Sequence, residues 1–366
     1  MKILLIVVLL IHGVLHLMGF LKSFGFRDIP ELTQPISKLS GLLWLVAFLL
    51  FLVSAIFLYT HQPLWPFFTI SAILLSQVLI IMVWKDAKFG TLLNTLLILV
   101  AVPALGHYYF NRMVADEMMM LSDTSVVREI NYLEKDSIVN LPPIVQKWLQ
   151  NSGVVGKPMI SLIHLYQRGE LKTSTSGDWM PFTAEQWFSA TSPSFVWKTQ
   201  VSLMGPVSFS GRDKLVEGHG SMLIKLGSVI PVVNAKDNPK LDQATLLRFM
   251  AEICWFPTAA TEPYFKWEPA GDLAAKATIE TKDLEVSGIF TFNENGELLS
   301  FEAERYMGTG DEARLEKWLV ENKAYKRFHG IKIPSKSEVS WKLEEGDHTW
   351  LRLEITDIRY NEPIAQ

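Results

Sequence analysis

GLLWLVAFLLFLVSAIFLY, residues 41–59, carries no charged side chain. A run of that length and composition is what a helix needs to cross ~30 Å of hydrocarbon at ~1.5 Å per residue. Outward from it, residues 3–21, 64–84 and 89–110 meet the same requirement, and charges fall only in the gaps. Trp65, Trp84, Tyr108 and Tyr109 sit near the ends, where amphipathic rings favour the membrane interface. Pro103 falls inside the fourth run and predicts a kink, which a bundle tolerates. The first run starts like a signal peptide, with Lys2 before an apolar stretch. It continues through Phe20 with no small-x-small cleavage pattern, so it reads as a retained helix.

Charge is divided unevenly. Of 34 basic and 38 acidic groups, residues 1–110 hold six and three. The remainder is net acidic, which argues against a nucleic-acid partner. The gaps at 22–40 and 85–88 share one membrane face and carry Lys22, Arg27, Lys38, Lys85 and Lys88, against Lys2 and Arg112 on the other. The basic excess predicts that the first face is cytoplasmic. With an even number of spans, the N-terminus and the C-terminal domain are then extracytoplasmic, in a multi-pass cytoplasmic-membrane protein. The single cysteine, Cys254, allows no intrachain disulfide. Its neighbours Ile253, Trp255 and Phe256 suit a small buried hydrophobe better than a reactive thiol.

Polar side chains within the spans are candidates for function. His12 and His16 lie four apart on one helical face. From the helix rise, His16, Gln77 and Asn94 fall roughly 8, 10 and 8 Å from the cytoplasmic ends of their helices, and His12 roughly 14 Å. They can form one interhelical hydrogen-bonded layer that glues helices together. A proton or quinone site at that layer is an alternative, as is a haem held by two histidines. The haem fits poorly: His107, the other histidine in a span, falls roughly 27 Å from the cytoplasmic end. No cofactor is expected.

Residues 111–139 read as a linker, and 140–366 as a β-rich domain. At its start, Asn-Leu-Pro-Pro-Ile-Val-Gln-Lys-Trp-Leu-Gln-Asn-Ser-Gly (140–153) predicts a short helix: early prolines, an apolar stripe of Ile144, Val145, Trp148 and Leu149, and Gly153 to stop it. The hydrophobic period then changes from ~3.6 to ~2. Strands are expected near 159–169, 171–177, 194–204, 206–217, 219–226, 264–269, 274–280, 283–293, 297–306, 316–328, 331–343 and 348–360. Hairpin-like turns such as Arg-Gly-Glu (168–170) and Asn-Glu-Asn-Gly (293–296) separate them. A long helix is expected over 240–253 and a short one over 183–190, while 311–321 suits either helix or strand. The expected architecture is four transmembrane helices followed by an α+β domain. In that domain a curved antiparallel sheet, or half-open barrel, carries a covering helix whose apolar side holds Leu246, Leu247, Phe249, Met250 and Ile253.

A set of motifs in this region resembles a bacterial family of domains of unknown function, often membrane-attached. The set comprises Leu-Pro-Pro-Ile-Val-Gln-Lys-Trp-Leu (141–149), Trp179 to Gln186, Pro-Ser-Phe-Val-Trp (193–197), Gly-Arg-Asp (211–213), Leu-Arg-Phe-Met-Ala-Glu (247–252) with Trp-Phe-Pro (255–257), and Gly-Ile-Lys-Ile-Pro (330–334) with Trp341. The resemblance spans about 140–360 and implies no established activity. At the level of fold alone, the strand–Gly-x-x-x-Pro–strand ending at 328–341 is similar to periplasmic lipoprotein carriers and their half-open barrels. Fold likeness does not transfer function.

No Gly-x-Ser-x-Gly elbow, phosphate-binding loop, paired-histidine zinc helix or Cys-x-x-Cys occurs, and His164, His219, His329 and His348 are scattered, so no metal site is expected. Arg248 and Glu252, one helical turn apart, suit an ion pair orienting a partly buried helix or a pair facing a ligand. Arg212 and Asp213 suit a β-edge pair or a contact for an anionic head group. Trp179, Trp187, Trp197, Trp255, Trp267 and Trp341 belong to a core or to the wall of a cavity. The expected ligand site comprises Trp197, Arg212, Asp213, Leu247, Arg248, Glu252 and Trp255. Its occupant would be membrane lipid, an apolar small molecule or a lipoprotein. An envelope hydrolase using Glu252, Asp213 or Glu185 is the competing class, and a membrane-coupled sensor a third. A continuous apolar cavity would favour binding, and two carboxylates converging in a polar cleft would favour catalysis.

Overall fold

The computed structural model describes residues 2–124, 131–203, 207–281, 284–308, 310 and 312–362. It divides into two compact units, 1–111 and 112–366. In the first, the apolar runs form α1 (Lys2–Ser23), α2 (Lys38–Tyr59), α3 (Trp65–Met82) and α5 (Gly90–Thr124), with a four-residue turn, α4 (Trp84–Ala87), before the last. Four of these are long and apolar enough to span a membrane. Small residues bring α1 and α2 together: a Cβ on Gly19 would sit 2.2 Å from the Trp44 ring. The Asp86 carboxylate accepts from Thr33 N (2.6 Å), Thr33 Oγ1 (2.8 Å) and Gln34 N (2.9 Å), so the 24–37 segment and α4 meet. Helix α5 contains Pro103 and runs on to Thr124, through much of the expected linker. Residues 125–130 of that linker lie outside the described residues, as do 206, 283 and 311, which begin expected runs.

In the second unit, α6 (Pro143–Ser152) precedes β1 (Leu162–Leu171), β2 (Met180–Ser189), β3 (Ser194–Ser202), β4 (Ser208–Val216), β5 (His219–Leu226) and β6 (Ile230–Ala235). Helix α7 (Pro239–Glu252) and two 3-10 turns follow. The chain ends with β7 (Phe265–Pro269), β8 (Ala274–Glu280), β9 (Glu285–Phe292), β10 (Leu298–Met307), β11 (Arg314–Phe328), β12 (Ile331–Leu343) and β13 (Gly346–Tyr360). Among the described residues these form one antiparallel sheet of 13 strands, ordered β6-β5-β4-β3-β2-β1-β13-β12-β11-β10-β9-β8-β7. A sheet this wide curls under its own twist. It is curved and unclosed, because β6 and β7 are its two edges, and α7 is the segment that connects them.

Three local readings are corrected. The expected helix at 183–190 is strand β2. Ala, Glu and Gln there favour helix, but the segment pairs with both β1 and β3 and buries alternate residues on the concave face, so tertiary pairing overrides propensity. No strand spans 171–177; β1 ends at Leu171. Strand β6 was not expected, because Ile-Pro-Val-Val-Asn-Ala carries a proline, which an edge strand accommodates. The ambiguous 311–321 run resolves as the start of β11.

Candidate functional site

Helix α7 is fixed at both walls of the curved sheet. Asn238 caps its first turn by accepting from Lys240 N (2.9 Å), and Pro239 follows at the first helical position. On one wall Asp242 Oδ1 accepts from Gly220 N in β5 (2.7 Å). Gly220 is needed there, since a Cβ would lie 2.5 Å from Thr245 Oγ1. On the other wall Gln243 Nε2 donates to Glu304 O and Arg305 Nε donates to Ala244 O, both at 2.9 Å in β10.

The side chains of α7 serve two environments. Leu246, Leu247, Phe249 and Met250 are buried in the main hydrophobic core. Arg248, Ala251 and Glu252 border a cavity of about 390 Å³ on the concave side of the sheet. Phe182, Trp197, Val201, Phe209, Ile224 and Leu353 contribute to its walls, and Trp255 and Cys254 lie where α7 gives way to the next turn. Leu247, expected at the ligand site, does not line the cavity.

A polar belt separates cavity from core. Arg248 Nη1 contacts Asp213 Oδ2 at 2.6 Å and its Nε contacts Glu252 Oε1 at 2.8 Å. Gln186 Nε2 donates to Glu252 Oε2 (2.8 Å), Gln167 Nε2 to Gln186 Oε1 (3.4 Å), and Trp197 Nε1 to Gln167 Oε1 (2.9 Å). The Arg248 guanidinium lies over Trp197 and Phe195, 4.8 and 5.0 Å from the ring centroids. Burial pushes the Glu252 carboxyl above its ordinary range, with Arg248 opposing the shift. For Arg248, burial acts to lower the guanidinium, and Glu252 and Asp213 outweigh it, so its proton is held more tightly.

The other expected residues separate by strand alternation. Asp213 joins the belt, whereas Arg212, next to it in β4, donates to Ser221 O (2.8 Å) and has its Nε 3.2 Å from Glu117. Lys214, two residues on, is 2.7 Å from the same carboxylate. Arg212 and Asp213 are therefore not a pair, although both border the cavity. Glu185 alternates with the belt residue Gln186 and contacts His164 (3.7 Å) and Lys198 (3.3 Å), away from Asp213 and Glu252. Trp187 stacks on His164, Trp179 lies under Arg352, Trp267 packs half-buried against the core and Trp341 is in it, while Trp318 and Trp350 border the cavity without having been singled out. Arg305 was also missed. Its signal was present: in Phe301-Glu-Ala-Glu-Arg305 a cation falls on the side of β10 that holds Phe301 and Ala303. Burial pushes the Cys254 thiol up, away from reactivity.

In the membrane unit His12 Nε2 donates to Asn94 Oδ1 (2.8 Å), and Asn94 Nδ2 donates to Gln77 Oε1 (3.0 Å) and Ser76 Oγ (3.1 Å). His16 Nδ1 donates instead to the His12 carbonyl (2.9 Å). Three of the four expected residues thus meet through side chains, with Ser76 added. Among the described residues no cluster of three or more His, Cys, Asp or Glu is arranged to hold a metal.

The geometry defines a multi-pass membrane protein carrying a half-open β-barrel with an apolar interior cavity. Residues 131–353 match the family of unknown function DUF6544, and the chain belongs to that family. No curated protein matches it. Among solved structures, it is similar to a domain described as an outer membrane lipoprotein-sorting protein from Vibrio parahaemolyticus, with 9% identity over 61% of this chain and 93% of the other, TM-score 0.37. It is also similar to a LolA superfamily protein from Nitrosomonas europaea, with 9% identity over 63% and 93%, TM-score 0.31. A DUF1329 family protein from Desulfovibrio piger shows 8% identity over 64% and 96%, TM-score 0.34.

Proposed function

We propose that the β-rich unit holds a lipid or acyl chain in the cavity beside α7, outside the cytoplasmic membrane. The observation that carries this reading is the cavity itself: about 390 Å³, mostly apolar-walled, with a minority of polar side chains in its lining. Ligand pockets run from ~300 to ~1,000 Å³ with a few placed polar groups. The carboxylates do not form a catalytic pair: Asp213 and Glu252 both bind Arg248, and Glu185 is elsewhere. The orientation rests on the basic loops.

Two measurements test it. The full-length protein in nanodiscs should bind a fluorescent fatty-acid probe saturably, and absence of saturable binding by folded protein overturns the reading. A reporter active only in the cytoplasm should be silent when fused after Gln366 and active in the 22–40 loop. The opposite pattern places the cavity on the cytoplasmic side.

A further inference from the structure

We infer that Arg305 anchors the anionic head of a single-chain amphiphile whose tail occupies the cavity, an inference that rests on the cavity being a lipid site. Three guanidiniums border the cavity and are held differently: Arg212 is 3.2 Å from Glu117 and donates to Ser221 O. Arg248 is bound by two carboxylates. Arg305 also borders the cavity, yet no carboxylate among the described residues lies within ion-pair range of it, and its hydrogen bond to the fold is Nε to Ala244 O at 2.9 Å. A guanidinium has five N–H donors, so both terminal nitrogens of Arg305 remain to be satisfied, and neither is sealed among protein atoms. The side chain is nonetheless fixed. Its guanidinium lies 4.8 Å from the Trp318 centroid and 5.5 Å from that of Trp341, with α7 holding Nε.

Arg305 is half-buried at the cavity wall, and an anion entering there would meet a cation without a counter-ion in a setting drier than bulk water, where pairing is favoured. Burial draws the Arg305 guanidinium down to about 10, with Asp213 partly restoring it at longer range, so it stays charged near neutral pH. Its planar fork matches a carboxylate or phosphate oxygen pair, and stacking on two indoles pre-orients it at little entropic cost. The cavity volume, at the low end for ligand sites, fits one chain better than several. The class is therefore a long-chain carboxylate or alkyl phosphate.

The test uses full-length protein in nanodiscs and three probes: a fluorescent long-chain fatty acid, its methyl ester, and inorganic phosphate as competitor. The acid should bind about tenfold or more tighter than the ester, the range expected of a charge-assisted contact. Arg305→Met should erase that preference and leave ester affinity unchanged, and Arg305→Lys should keep part of it. Phosphate without a chain should not compete at millimolar concentration. Equal binding of acid and ester by the native protein, or a preference that survives Arg305→Met, overturns the anchor while leaving the lipid cavity standing. Strong competition by phosphate makes the site one for small anions and overturns the amphiphile. Binding of neither acid nor ester overturns the cavity reading and the anchor together. Should Arg305→Met fail to fold, the acid-to-ester ratio of the native protein and of Arg305→Lys decides.

Discussion

The two ends of the concave face of one sheet differ completely in how they are filled. Along β2, β3 and β4 the register places Phe188, Phe195 and Leu215 in one cross-strand row, each fully buried. The next row inward is Gln186, Trp197 and Asp213, the polar belt. Then come Ala184, Thr199 and Gly211, and after them Phe182, Val201 and Phe209. The row of small residues opens the void, and the row before the belt closes against a dense aromatic core. In that core Trp267 and Phe290 lie 5.1 Å apart, Phe290 and Phe301 4.8 Å, and Trp148 of α6 and Phe292 5.8 Å. One backbone curvature thus supports both a solid interior and a cavity. The difference lies in side-chain volume row by row, and in α6 being laid over only one end.

The comparison is broken most severely at the solid end. Phe290→Ala removes a fully buried ring among close neighbours and should cost about 3–5 kcal/mol, read as a large fall in the unfolding midpoint of the intact protein. A loss under about 1 kcal/mol would mean this end is not close-packed. At the belt, Arg248→Met strands two buried carboxylates and should cost about 3 kcal/mol. If stability is unchanged, the belt is not what separates core from cavity.

At the open end the effects should uncouple. Ile224 lies opposite Gly211 and borders the cavity. Ile224→Trp has empty space to enter, so stability should move by no more than about 1 kcal/mol, while saturable binding of the fatty-acid probe is lost. Binding at native affinity would show that the void beside Gly211 is not the site.

The smallest effect belongs to the exposed side of the sheet. Hydrogen bonds from Lys326 and Arg168 hold the Glu354 carboxyl down to about 2. A carboxyl depressed by folding stabilises above its unfolded value of about 4.3 and loses that contribution as pH falls towards its folded value. Glu354→Gln should therefore lower the melting temperature slightly at pH 7 and match the native protein near pH 2. A larger gap at low pH than at neutral pH would reverse the sign and exclude this account.

The sequence by itself determined the four apolar helices, most of the strands, the turns between them and the covering helix. Each of these is written locally: a span needs only an uninterrupted apolar run, a strand only alternation, and α7 only its cap and stripe. It also carried the Arg248–Glu252 pair, one helical turn apart, but not the rest of the belt, since Asp213 was expected beside Arg212 and Gln186 within a helix. What it left open depended on partners far along the chain. Residues 183–190 became a strand because β1 and β3 flank them, which helix-forming residues do not announce. Leu247 went to the core and Arg248 to the cavity because α7 crosses between β5 and β10, so which flank meets empty space is set by residues tens of positions away. Periodicity reports that a side chain points inward. Whether inward means packed core or cavity is decided by the volumes of the rows that the fold places opposite it, so alternation could put Arg305 on the inward side of β10 but not at a cavity.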